Sequence, residues 1–268
     1  MTVCIAAVCE GGKKIVVAAD RMFTAPPPLN LEFETSEKKI EVLAPSCVTL
    51  FAGNSAFATE IIRGARRKLA GAQSPAFDAV AGKVQETYLE VRFAKVREQI
   101  ILPNLGPDFL KAESLGISMP TYLQPQAGLY QQLAAVMANF NIQSDIIAAG
   151  IDSEGARLAV ISHPGTTAWL DKLGYAAIGS GGIHAIMRLA LGAQTSQNSA
   201  AETLYRVYEA KKASEVAPGV GTATDITIVD GAHAVECSVE MLTALSSIFN
   251  DSGGRTPTSL GAIIELMR

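Results

Sequence analysis

Two short runs near the start of the chain, Val3 to Cys9 and Ile15 to Ala19, contain only Val, Ile, Ala and Cys. Successive side chains of a strand point to opposite faces, so a strand apolar at every position needs cover on both sides. Glu10-Gly11-Gly12-Lys13-Lys14 separates the runs and reads as a turn, which makes the pair a buried hairpin. A fold that opens this way must supply apolar partners above and below its first sheet.

The rest of the pattern supplies them. Pro26-Pro27-Pro28 marks an irregular excursion, after which Lys39 to Leu43 and Val48 to Ala52 form a second hairpin around Ala44-Pro45-Ser46. Phe57, Ile61, Ile62 and Ala65 recur at helical spacing over Ser55 to Leu69, with Ser55 as the expected cap. A longer helix follows between Pro75 and Leu102, and the two should cover one sheet face. Residues 103–128, rich in Pro and Gly, read as an irregular insertion before a helix over Leu129 to Phe140. Ser144 to Ile151 and Ala156 to Ile161 give a third hairpin around Asp152-Ser153-Glu154-Gly155. A strand over Tyr175 to Ile178 leads into helices over Ile183 to Leu191 and Ala200 to Ala213, and a last hairpin joins Asp225 to Asp230 with Ala234 to Val239. This order is not the alternation of a doubly wound sheet. Two antiparallel sheets packed face to face between helical layers, an α+β fold, satisfy it.

Composition narrows the function. Apolar residues make up 49% and charged residues 18%, which suits a core-forming chain. A formal charge of −4 gives no reason to expect a nucleic-acid partner. Arg63, Arg66, Arg67 and Lys68 form one basic cluster, at the spacing of a solvated helix face. Cys4, Cys9, Cys47 and Cys237 lack metal-ligand or disulfide spacing, so no metal is expected and a reduced, cytoplasmic setting is. No apolar run approaches the roughly 20 residues that cross a bilayer, and no basic leader precedes the first run. Neither a membrane partner nor a signal peptide is expected.

Thr2 is the first chemical candidate. Removal of Met1 leaves its hydroxyl beside a free α-amine, whose reference pKa of about 7.7–8.0 lets it act as a base near neutrality. Asp20 ends the paired strand and can sit beside that hydroxyl. Lys38 and Lys39 precede another strand, and alternation lets one of them point inward, where its charge would favour the deprotonated hydroxyl. Gly179-Ser180-Gly181-Gly182 forms a glycine-rich strand-to-helix turn, and Gly53 ends a strand where backbone can approach a substrate. His163, His184 and His233 lie near no GxSxG elbow, which weakens a Ser-His-Asp reading.

Thr2-Val3-Cys4-Ile5, Val16-Val17-Ala18-Ala19-Asp20-Arg21, Lys38-Lys39-Ile40, Phe51-Ala52-Gly53 and Ile178-Gly179-Ser180-Gly181-Gly182 occur in that order. Together they resemble a proteasome β-subunit, and the Met-Thr-x-Cys start is similar to bacterial proteasome homologues of the Anbu type. The resemblance covers most of the chain outside 103–128 and the C-terminal tail. It implies a single N-terminal nucleophile (Ntn) hydrolase domain over 1–268, a four-layer αββα sandwich with an insertion at about 103–128.

The resemblance also implies roles. Thr2 matches the nucleophile of a threonine peptidase that forms an acyl-enzyme ester. Lys39 matches the lysine that lowers the nucleophile's pKa, and Asp20 that lysine's acidic partner. Ser180 matches the serine beside the terminal amine, and Gly53 the oxyanion donor. No cofactor is implied, the substrate is a peptide or protein, and the assembly is a homo-oligomeric ring or spiral. Two departures from the family pattern matter. Ser214 and Glu215 stand out of register with the family's late aspartate and serine, and the first hairpin is about two residues longer than is usual in the family, so that a shifted register would leave the nucleophile position empty. The competing expectations are a small-molecule amidase or peptide ligase on the same fold, and an inactive structural subunit that keeps Met1.

Overall fold

A computed structural model describes residues 2–24, 31–72, 75–253 and 259–267. The opening hairpin is β1 (Cys4–Cys9) and β2 (Lys14–Asp20), paired antiparallel from Cys4 opposite Ala19 to Cys9 opposite Lys14. A short ribbon of β3 (Met22–Thr24) and β4 (Glu32–Glu34) follows, then β5 (Ile40–Ala44) and β6 (Cys47–Gly53). Helices α1 (Ser55–Leu69) and α2 (Phe77–Val96) come next. A π-helical turn at Arg97–Ile101 leads into α3 (Leu102–Ser114), α4 (Met119–Tyr122) and α5 (Ala127–Asn139). Strands β7 (Ser144–Asp152), β8 (Gly155–Ser162), β9 (Thr166–Trp169) and β10 (Tyr175–Ile178) precede α6 (Gly182–Leu191) and α7 (Ala200–Ser214). The chain ends with β11 (Thr224–Val229), β12 (Ala234–Glu236), α8 (Val239–Ser252) and α9 (Gly261–Leu266).

The strands form two five-stranded antiparallel sheets, ordered β10-β1-β2-β11-β12 and β5-β6-β7-β8-β9, apart from the β3–β4 ribbon. Both faces of the opening hairpin are buried. Val3, Ile5 and Ala7, with Val16 and Ala18, share one apolar cluster with Leu189 of α6 and Leu204 and Val207 of α7. Cys4, Ala6 and Val8, with Ile15, Val17 and Ala19, share another with Val48, Leu50, Ile147 and Ala149 of the second sheet. Phe51, Ile146 and Ile161 on that sheet's other side cluster with Ile61 and Ile62 of α1 and Val80 and Val84 of α2. This is why the opening runs have no polar position: each alternate set faces an apolar partner. Burying one such Val, Leu or Ile contributes about 1.5–3 kcal/mol.

Several sequence expectations need correction. Asn54, not Ser55, caps α1, its side chain accepting from the N–H groups of Ala56 and Phe57; Ser55 is the first helical residue. Residues 103–128 are largely helical. Their prolines read as breakers, yet Pro103, Pro107 and Pro120 stand at or near the starts of short helical pieces, where a missing N–H costs little. Gly106, at φ +67°, makes the kink between two of those pieces. Val96, Ile100, Leu123 and Leu133 give this region its own small core. The last hairpin is shorter than expected, because Ser238 caps α8 and Val239 opens that helix. Strands β3, β4 and β9, of three or four residues, are too short to show a period. Pro26-Pro27-Pro28 lies outside the described residues.

The basic cluster on α1 is largely exposed, with Arg66 paired to Glu41 at 2.8 Å and Lys68 to Glu86 and Glu90 at 2.9 and 2.7 Å. Among the described residues no helix is long and apolar enough to cross a membrane.

Candidate active site

The site forms where the opening hairpin ends. Thr2 precedes β1, Asp20 closes β2, and the pairing of Cys4 with Ala19 sets them side by side. The hairpin continues past its strands: Asp20 N–H donates to the Val3 carbonyl at 3.2 Å, and Val3 N–H donates to Asp20 Oδ1 at 3.1 Å. Lys39 stands immediately before β5 and turns inward. Thr2, Asp20 and Lys39 are 1%, 0% and 3% exposed.

The three side chains are mutually bonded. Thr2 Oγ1 donates to Asp20 Oδ1 and accepts from Lys39 Nζ. Lys39 Nζ also donates to Asp20 Oδ1 at 2.9 Å and to the Met22 carbonyl, so its three protons face three acceptors. The Phe23 ring lies 5.2 Å from the ammonium and adds a cation–π contact. On its second oxygen Asp20 accepts from Met22 N–H at 3.2 Å and Gly221 N–H at 2.9 Å. A buried carboxylate is tolerated only when paired and hydrogen-bonded, and Asp20 is both.

The choice between the two lysines is settled by position. Lys38 lies at the surface and pairs with Glu236 at 2.6 Å, while Lys39 reaches Thr2.

Ser180 lies beside the Thr2 backbone nitrogen, whose N–H donates to Ser180 Oγ at 3.2 Å. Ser180 Oγ in turn donates to the Pro218 carbonyl at 3.2 Å, and Gly181 N–H donates to the Thr2 carbonyl at 3.2 Å. This turn requires glycine at 179, which has φ +89° and whose Cβ would run into the Thr2 carbonyl. Gly53 is held to glycine in the same way, by φ +94° and the facing Gln143 carbonyl oxygen. It lines a small cleft with Thr2, Met22, Phe23, Lys39, Phe51 and Ser55.

Ser214 and Glu215 do not reach Thr2. Ser214 Oγ donates to the Gly181 carbonyl at 3.0 Å, supporting the glycine-rich turn from behind. Glu215 pairs with Lys211 at 2.6 Å and with Lys212 at 2.8 Å.

Cys4 comes close to the cluster, its Sγ 3.1 Å from the Phe51 carbonyl oxygen. Burial pushes this thiol up to about 12, with Lys39 opposing only in part, so it stays protonated and unreactive near neutrality.

Sequence reasoning missed Lys211 and Gly221. The signal for Lys211 was present: Leu204, Val207, Tyr208 and Lys211 share one buried stripe of α7, where a lysine is out of place. Gly221 acts through its backbone N–H, which leaves no trace in residue type. No protein-family model matches the chain, and no curated protein sequence matches it.

Proposed function

We propose that this chain is a proteasome-like N-terminal nucleophile hydrolase that cleaves amide bonds with Thr2, and that its sheets and helices form the four-layer αββα sandwich of that class. The fold reading is supported by the apolar clusters on both sides of each sheet. The single observation that carries the catalytic reading is the convergence of Lys39 Nζ and Asp20 Oδ1 on Thr2 Oγ1.

In this reading Met1 is removed and the Thr2 nitrogen becomes a free amine beside Ser180. The amine takes the hydroxyl proton, directly or through water, while the Lys39 ammonium stabilises the oxygen as it gains charge. Oγ1 attacks the carbonyl carbon, and the tetrahedral oxyanion collects beside the Gly53 N–H. The C–N bond then breaks, the leaving amine takes the proton, and an ester remains on Thr2. Water adds to the ester, and its collapse returns the hydroxyl and releases the acid. A peptide or protein substrate, a cytoplasmic setting and a ring or spiral of identical subunits belong to the same reading.

Hydrolysis of a panel of fluorogenic peptide amides, compared with Thr2→Ala, tests it. Turnover lost in Thr2→Ala supports the peptidase. Cleavage of small acyl amides alone would favour the amidase reading, and equal inactivity of both proteins would favour a scaffold.

A further inference from the structure

Behind Asp20 lies a second buried ammonium that the reaction above does not use. Lys211 is 0% exposed, and its Nζ donates to Glu215 Oε1 at 2.6 Å, to the Gly221 carbonyl at 2.8 Å and to the Thr222 carbonyl at 2.7 Å. All three ammonium protons are used, two of them on one loop. Gly221 is therefore held at both backbone polar groups: its carbonyl by Lys211, and its N–H by Asp20 Oδ2 at 2.9 Å. A continuous chain of hydrogen bonds runs from Glu215 through Lys211, Gly221 and Asp20 to Thr2 Oγ1.

Packing alone does not account for a lysine here. Its position belongs to the apolar stripe of α7, which Leu or Met would fill, and replacing a buried ion pair by apolar side chains is often neutral or stabilising. Burial pulls the Lys211 pKa below the usual lysine value, with Glu215 opposing, so an ammonium at this position carries a desolvation cost. What a methionine could not do is fix the Gly221 and Thr222 carbonyls. We infer that Lys211 is a positioning residue that clamps the 215–222 loop so that the Gly221 N–H orients the Asp20 carboxylate against Thr2 and Lys39. This rests on the hydrolase reading of Thr2.

The test uses the full-length protein and a peptide epoxyketone, following the adduct by mass and separating the maximal labelling rate from the concentration for half-maximal rate. Lys211→Met is expected to lower the maximal rate about 10–100-fold, as loss of an outer supporting group does elsewhere, with little change in half-saturation. Lys211→Arg, which keeps a charged donor, should recover part of that rate. Hydrogen exchange supplies a second readout: the Gly221 amide should be protected in the wild type, a measurement that needs no variant to fold, and its exchange in Lys211→Met should speed up more than that of the β1 and β2 amides. Glu215→Gln, which leaves the ammonium in place, should fall between wild type and Lys211→Met in both measurements. A maximal rate in Lys211→Met within about twofold of wild type, or an unprotected Gly221 amide in the wild type, overturns the inference. Failure of the wild type to label at all strikes instead at the hydrolase reading, and the positioning role falls with it.

Discussion

Lys39 Nζ lies 2.9 Å from Asp20 Oδ1 in a site where both side chains are buried, and the Thr2 hydroxyl is bonded to the same two groups. The carboxylate holds the ammonium, and the ammonium faces the oxygen that must carry charge. Removing either charge therefore damages two things, the stability of the pair and the reactivity of the hydroxyl.

Lys39→Met leaves the Asp20 carboxylate buried without a cation, held only by backbone N–H groups and the Thr2 hydroxyl. It should lower stability by about 3 kcal/mol and abolish epoxyketone labelling of Thr2. Lys39→Arg should not restore labelling, because a planar fork does not reproduce a point charge with three converging acceptors. Urea denaturation and intact mass check the two effects.

Gly53 and Gly71 allow a matched comparison, because both have φ +94° but only Gly53 faces a neighbour, the Gln143 carbonyl. Gly71→Ala should cost about 1–2 kcal/mol of backbone strain and leave labelling unchanged. Gly53→Ala should cost more and also slow labelling, by up to roughly the 10²–10³ that loss of an oxyanion donor costs, because the clash with the Gln143 carbonyl displaces the backbone N–H at 53. Thermal unfolding and labelling rates of the two variants test this.

Burial pushes the thiols of Cys4, Cys9 and Cys47 each up to about 12. In the unfolded chain they ionise near their ordinary value of about 8.5. Their contribution to stability is therefore complete below that pH and is lost as pH rises toward 12. The urea midpoint should fall over this alkaline range, and less steeply in Cys47→Ala once the shift in its baseline stability is subtracted. A slope equal to that of the wild type would show that Cys47 does not contribute.

Ser199 and Glu202 close a capping box at the start of α7, far along the helix from Lys211. Ser199→Ala should cost about 1 kcal/mol, a fall of about 2–4 °C in Tm, with no change in labelling rate. This variant separates general loss of stability from loss of the site.

Much of this was legible in the chain because burial on both faces leaves a strong mark. The all-apolar runs of β1 and β2 and the periodic faces of α1 and α2 can fold in few ways. Thr2 and Asp20 were readable because the hairpin register dictates which ends meet, whereas Lys39 came from the family resemblance. Alternation alone could not choose Lys39 over Lys38; that depended on which way the chain turns before β5. The helices of 102–126 were hidden because Pro and Gly make 103–128 read as irregular, whereas the prolines stand at or near helix starts and Gly106 makes a kink. The Asp20–Gly221–Lys211 connection was hidden because its middle link is a backbone amide brought in by α7 and its following loop, some 200 residues along the chain.

The most direct measurement is the mass of the purified protein's N-terminal peptide, before and after reaction with the epoxyketone. The account predicts a peptide beginning at Thr2, gaining one probe mass joined to both its nitrogen and its Oγ1. A peptide that retains Met1 and gains no mass would contradict it and leave the buried Lys39–Asp20 pair as a structural feature.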